Sequence, residues 1–210
     1  RGVIGGRQGA LDGYSAVIIA GPEKEFSEAD KLVIDQYIMN GGKVLWLFEE
    51  VRVDADSLAS GTTMGLYRPL NLEDMLFRYG ARVNAAIVKD LECMTIRLMV
   101  MTGGVRQQVV SAPLVYFPLI IPASDHPVTR NINRVKSEFS NYIDTVGQDL
   151  SIKKKVLLHS SQFSRTLSPP LMISLKEAET LADEKAFDKK NLPVAVLLEG
   201  VFPSAFVNRP

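Results

Sequence analysis

Few side chains in this 210-residue sequence could do chemistry, and they are scattered along it. Acyl transfer needs an activated nucleophile, a base within hydrogen-bond reach and an orienting carboxylate. The single cysteine, Cys93, stands in Leu-Glu-Cys-Met-Thr with no glycine to frame a strained elbow, and reads as a small buried hydrophobe. Ser160-Ser161 follow an apolar run, but no Gly-x-Ser-x-Gly pattern surrounds any serine. The two histidines have no pair spacing suited to a metal: His126 precedes Pro127 at a turn, and His159 ends an apolar run as a core or rim residue. Glu49 and Glu50 are adjacent, so on extended backbone they point to opposite sides and do not form a facing pair. Gly2, Gly5, Gly6 and Gly9 could suggest a phosphate cradle, yet such a loop follows a strand and carries Gly-Lys-Ser/Thr, which this chain lacks. The residues therefore predict no catalytic set, no metal site and no cofactor.

The element that must position these groups is Ser15–Glu50. Ala16-Val17-Ile18-Ile19-Ala20, stopped by Gly21-Pro22, reads as a strand buried on both faces, and so does Val44-Leu45-Trp46-Leu47-Phe48. Between them Ser27 offers an N-cap, and Val33, Ile34, Tyr37 and Ile38 form one apolar stripe of a helix over 28–40. Lys31, Asp35, Gln36 and Asn40 are left for water, and Gly41-Gly42 ends the helix. Strand, helix, strand with short links predicts a right-handed crossover in a parallel sheet, with Trp46 in the core. Ligands in such sheets bind beyond the carboxyl ends of the strands, which selects Gly21, Pro22, Glu49, Glu50, Ser160 and Ser161. His126 joins them as the histidine that a catalytic cleft would require.

Elsewhere the pattern is looser. The stretch 51–69 reads as a polar, flexible loop. Asn71 is expected to cap a short helix that Gly80 stops, with Leu70 stapled on Met75. Residues 82–88 suggest a strand near an edge. Those at 95–101 and 105–110 suggest a hairpin about Thr102-Gly103-Gly104, giving an insertion over 91–112. Residues 114–121 form a further apolar strand with Pro118 at a bulge or edge. Strands are expected within 139–146, 155–159, 171–175 and 192–198, and a helix over 176–185. Twenty-four basic residues balance 24 acidic ones, so the overall field draws the chain to neither nucleic acid nor an anionic membrane. One cysteine excludes an internal disulfide and a multi-cysteine metal site.

Several stretches in a fixed order resemble a known family. VIIAGPEKEFSEADKLVIDQYIMNGGKVLWLFE, NLEDMLFRYGARVNAAIVKD, YFPLIIPASDHPVTRNI, KKVLLHSSQFSR and LPVAVLLEGVFPSAFVNR are similar to the auxiliary, substrate-binding-like component G of gliding-motility-associated ABC transporters of Bacteroidetes-type bacteria. The family resembles a module at the start of an intraflagellar transport subunit. The resemblance implies a Rossmann-like three-layer α/β sandwich with a mainly parallel sheet, related to class I glutamine amidotransferase-like and ThuA-like folds but without their catalytic residues. It implies one extracytoplasmic domain over 1–210, on the periplasmic side of the cytoplasmic membrane, anchored by flanking helices outside this chain. It further implies a separate permease and ATPase as partners, and an opening strand and helix ahead of Tyr14 that this sequence lacks. The function expected is non-enzymatic binding or coupling; the alternatives are a glycan-active or amidotransferase-like enzyme and a purely structural assembly domain.

Overall fold

Ser27 starts the helix that the apolar stripe demands. In the computed structural model, which describes residues 2–102, 106–180 and 182–207, its side chain accepts from the Asp30 amide and opens α1, Glu28–Met39. Glu28 and Asp30 place negative charge in the first turn, where the helix dipole favours it. At the other end Gly41, at φ 88°, turns left-handed, and the Gly42 amide then donates to the Tyr37 carbonyl at 2.9 Å. Gly42 is fixed by space as well: a Cβ there would lie 2.3 Å from the Tyr37 ring. The helix joins β1, Val17–Ala20, to β2, Val44–Leu47, and these strands pair in parallel with Ile19 opposite Trp46.

The expected mainly parallel, Rossmann-like sandwich does not extend beyond this unit. Every other strand pair among the described residues is antiparallel. Three strands, β3 (Val51–Val53), β4 (Thr62–Tyr67) and β12 (Leu171–Ser174), form one sheet in the order β12-β4-β3. A second sheet, in the order β11-β5-β9, is made of β5 (Ala81–Asp90), β9 (Asn141–Thr145) and β11 (Ser164–Leu167). The largest runs β13-β10-β7-β6, from β6 (Cys93–Thr102), β7 (Arg106–Pro122), β10 (Ile152–His159) and β13 (Pro193–Gly200), with β8 (Val135–Lys136) on β7. The apolar runs misled because apolar composition does not fix which faces are covered. In β1 and β2 alternate residues face out: Ile18 is 66% exposed, and Leu45 and Leu47 are each 51% exposed. Trp46 is part-buried on the inner face, edge-on to Phe26 and Phe48.

Other local expectations shift too. The stretch after Glu50 is ordered as β3, a one-turn helix α2 (Ala55–Leu58) and β4. Asn71 does not cap α3, Glu73–Tyr79; it sits at φ 58° and its amide donates to the Phe26 carbonyl at 2.9 Å. The strand placed near an edge, β5, lies between β9 and β11 and is buried from Ala86 to Asp90. Residues 106–122 form one continuous strand through Pro113 and Pro118, with the β6 register slipping between Cys93 and Thr95, near Pro118. The hairpin tip at Gly103-Gly104 lies outside the described residues. The helix expected over 176–185 is two short 3-10 turns, Leu175–Glu179 and Glu184–Ala186.

Two apolar clusters form. Leu11, Val33, Ile34, Tyr37, Leu70, Leu72, Met75, Leu76 and Tyr79 pack around α1 and α3. Val51, Ile87, Leu114, Tyr116, Phe139, Ile173 and Phe187 pack among the antiparallel sheets. Lys31 and Asp35, expected in water, are fully buried on α1 beside the first cluster. Lys31 is tolerated because Glu28 at 2.9 Å and Asp74 at 2.8 Å neutralise it. Asp35 accepts from the Tyr79 hydroxyl, the Ser204 hydroxyl and the Ala205 amide, each at 2.7 Å, and so ties the C-terminal segment to α1. Replacing Asp35 with alanine orphans three donors and should cost about 3 kcal/mol or more in urea unfolding. Gln36→Ala, an exposed neighbour, should stay within about 0.5 kcal/mol.

Candidate functional site

The crevice rule presupposes an open parallel sheet, of which only the pair β1 and β2 is present among the described residues, so it reaches no further than the residues that follow these two strands. Gly21, exposed and at φ 55°, donates its amide to Leu47 at 2.8 Å and leads into half-buried Pro22. Beyond β2, Glu49 and Glu50 diverge as their spacing requires. Glu49 is exposed and meets Arg68, whose guanidinium donates to its carboxylate at 2.9 Å and to its carbonyl at 3.0 Å. Glu50 is only 3% exposed. Its amide donates to the Asn141 side chain at 2.7 Å, its carbonyl accepts from the Arg68 amide at 2.8 Å, and Asn141 reaches on to the Ala86 carbonyl.

The Glu50 carboxyl has no hydrogen-bond partner among the described residues. Burial first, and the Glu73 carboxylate second, push its pKa up to about 7. Tyr67 closes the group: its hydroxyl donates to Glu73 at 2.8 Å, and burial with that carboxylate holds its pKa up at about 12. The buried Arg68 Nε also lacks a partner. The crevice thus offers a carboxyl that is neutral below about pH 7, a fixed guanidinium and a protonated phenol. It can bind polar groups and exchange a proton. Tyr67, Arg68, Glu73 and Asn141 carried no signal in the sequence, because pairing with β3 and burial beside β5 bring them here.

The remaining candidates are engaged elsewhere. Ser160 and Ser161 are fully buried around Asp90, at the end of β5. Asp90 accepts from the Ser161 amide at 2.7 Å, the Ser161 hydroxyl at 2.6 Å, the Ser164 hydroxyl at 2.9 Å and the Glu92 amide at 2.8 Å. His159 directs Nδ1 to the Ser160 carbonyl at 2.8 Å, away from any serine hydroxyl. His126 uses Nδ1 to accept the Val128 amide at 3.2 Å and fixes its own turn. No hydrogen bond or ion pair joins the Glu49–Glu50 group, His126 and the serines to one another among the described residues. Cys93 is half-buried, and burial, then Asp90, push its thiol up to about 11. No group of three or more His, Cys, Asp or Glu side chains suited to a metal occurs among the described residues.

Comparison with known proteins adds the family. Residues 6–210 match the family described as an ABC-type uncharacterized transport system, of the ABC transporter auxiliary kind. The chain belongs to this ABC transporter auxiliary family. No curated protein matches it significantly. A solved structure described as "mmIFT52 N-terminal domain" is similar at 15% identity and a TM-score of 0.44, covering 88% of this chain and 67% of that one. A likeness that distant assigns nothing to this family member.

Glu50 makes a pH signature testable. Its folded pKa of about 7 lies above the ordinary 4.5, so the folded state holds a proton that the unfolded chain releases between these values. Its contribution is complete below about pH 4.5, declines as pH rises, and is gone above about pH 7, a loss on the order of 3 kcal/mol. Urea unfolding at pH 5, 6, 7 and 8 should show this slope in the natural protein and a flatter one in Glu50→Gln. Equal slopes would show that Glu50 ionises freely.

Proposed function

We propose that this domain is a non-enzymatic binding or coupling component of an ABC transport system, held on the periplasmic side of the cytoplasmic membrane and serving gliding motility. The observation that carries the transport reading is the family match over residues 6–210. The finer part rests on the resemblance of the five sequence stretches to component G. No helix among the described residues is long and apolar enough to cross a membrane. Anchoring is therefore assigned to segments flanking this chain, with a permease and an ATPase as partners. Non-enzymatic action is favoured by geometry: the serines are locked on Asp90, both histidines are turned to backbone groups, and the cysteine is held protonated by burial.

A second reading, a structural assembly domain, is favoured by the outward face of β1 and β2, where Ile18, Leu45 and Leu47 lie in the open. Affinity capture of the intact tagged protein from solubilised membranes separates the two. A transporter component should bring down a permease and an ATPase together, and its deletion should abolish gliding. Capture without either subunit, with gliding intact, would sink the transport reading.

Cys93 gives an independent check on catalysis. Iodoacetamide should label it far more slowly than a free thiol at pH 7, and Cys93→Ser should leave motility and transport unchanged. Fast labelling together with loss of function in that variant would restore an enzyme.

A further inference from the structure

Three cations without ion-pair partners among the described residues line one concavity. Arg165 on β11, and Lys185 and Lys189 from the segment after it, surround a cavity of about 330 Å³ with Thr166, Ala186 and Asp188. The ion pairs of the described residues include none of the three. Outside the lining, the Glu177 carboxylate is spoken for. Arg165 pairs across the strands with Lys89, so their side chains share a face. On that face Glu177 is already taken by the Lys89 ammonium and, at 2.7 Å, by the Tyr116 hydroxyl.

The walls are also held in place before anything binds. The Ser164 amide donates to the Lys189 carbonyl at 3.0 Å, and the Lys189 amide returns a bond to Ser164 at 2.9 Å. The Asn191 amide donates to Ser161 at 2.8 Å, the Leu192 amide to the Ser160 hydroxyl at 2.9 Å, and Phe187 is buried in the core. The lysine segment is thereby fastened, through buried serines bonded to Asp90, to the strand that carries Arg165. The backbone that carries these cations is thus set before an anion arrives, so little ordering of the chain is lost on binding.

We infer that this cavity is a binding site for a phosphate-bearing small molecule. Its three cationic side chains, set against the one carboxylate of Asp188, leave a charge near +2. That matches a phosphate monoester, at about −1.5 to −2, better than a single carboxylate. Arg165 supplies a planar fork for two phosphate oxygens, and the lysines supply point charges. Asp188 is left to accept a hydrogen bond from a hydroxyl-bearing group attached to the phosphate. The inference does not depend on the transport reading, since it can hold whether or not a permease is captured.

Amide chemical shifts of the isotope-labelled protein, titrated with glucose 6-phosphate, inorganic phosphate and glucose, test it directly. Glucose 6-phosphate should give saturable shifts confined to 164–166 and 185–189, inorganic phosphate weaker ones, and glucose none. Arg165→Gln and Lys189→Ala, both exposed positions, should each weaken binding by about tenfold, with unchanged circular dichroism. Vesicles of phosphatidylglycerol in phosphatidylcholine, against phosphatidylcholine alone, distinguish the source: binding to these alone, lost in both variants, would overturn the small-molecule assignment in favour of a lipid headgroup. Absence of saturable shifts and of vesicle binding would overturn the site, as would binding that survives both substitutions.

Discussion

A single buried carboxylate, Asp90, holds the antiparallel part of this molecule together. It stands where β5 ends, with no exposure to water, and satisfies two amides and two hydroxyls within 2.9 Å. Burying a carboxylate is costly unless such partners are present, so the site tolerates little change. Two of those partners come from Ser161 in the turn between β10 and β11, and a third from Ser164 at the start of β11; the two strands belong to different sheets. The same turn bonds residues 189–192, which are thereby drawn against β11. The Ser-Ser-Gln-Phe-Ser segment is thus a joint, and its hydroxyls are consumed in making it.

Asp35 plays the corresponding part in the helical cluster. It collects α3 through Tyr79 and the C-terminal segment through Ser204 and Ala205. Lys31, one turn earlier, does the same between α1 and the start of α3. In both cases a charge is buried because ordered donors or carboxylates meet it from distant parts of the chain. Such networks favour one arrangement of elements over others that would bury equal apolar area.

This economy bears on function. A protein that uses its buried aspartates and serines as joints has none of them poised to attack a substrate. What it leaves free are surfaces: the Glu50 crevice with its unpartnered carboxyl and guanidinium nitrogen, the outward apolar face of β1 and β2, and the cation-lined cavity by β11. Such surfaces suit recognition of partners, consistent with an auxiliary component of a transport system.

The unit at Val17–Leu47 was legible from its residues: its caps, its stripe and its left-handed stop depend on neighbours a few residues apart, and the strands it joins are parallel. Long-range pairing settled the rest. Several antiparallel pairs join strands far apart in sequence, such as β4 with β12 and β5 with β11, and an apolar run does not record whether one face or both will be covered. Asp35 and Lys31 read as solvent-facing because partners that bury them lie some 40 or more residues away. Of the candidate positions, Gly21, Pro22, Glu49 and Glu50 follow the ends of β1 and β2, whereas Ser160, Ser161 and His126 are held elsewhere by their own hydrogen bonds. Arg68, Tyr67 and the three cations by β11 left no mark on the local pattern, since only folding sets which charges meet a partner and which remain without one.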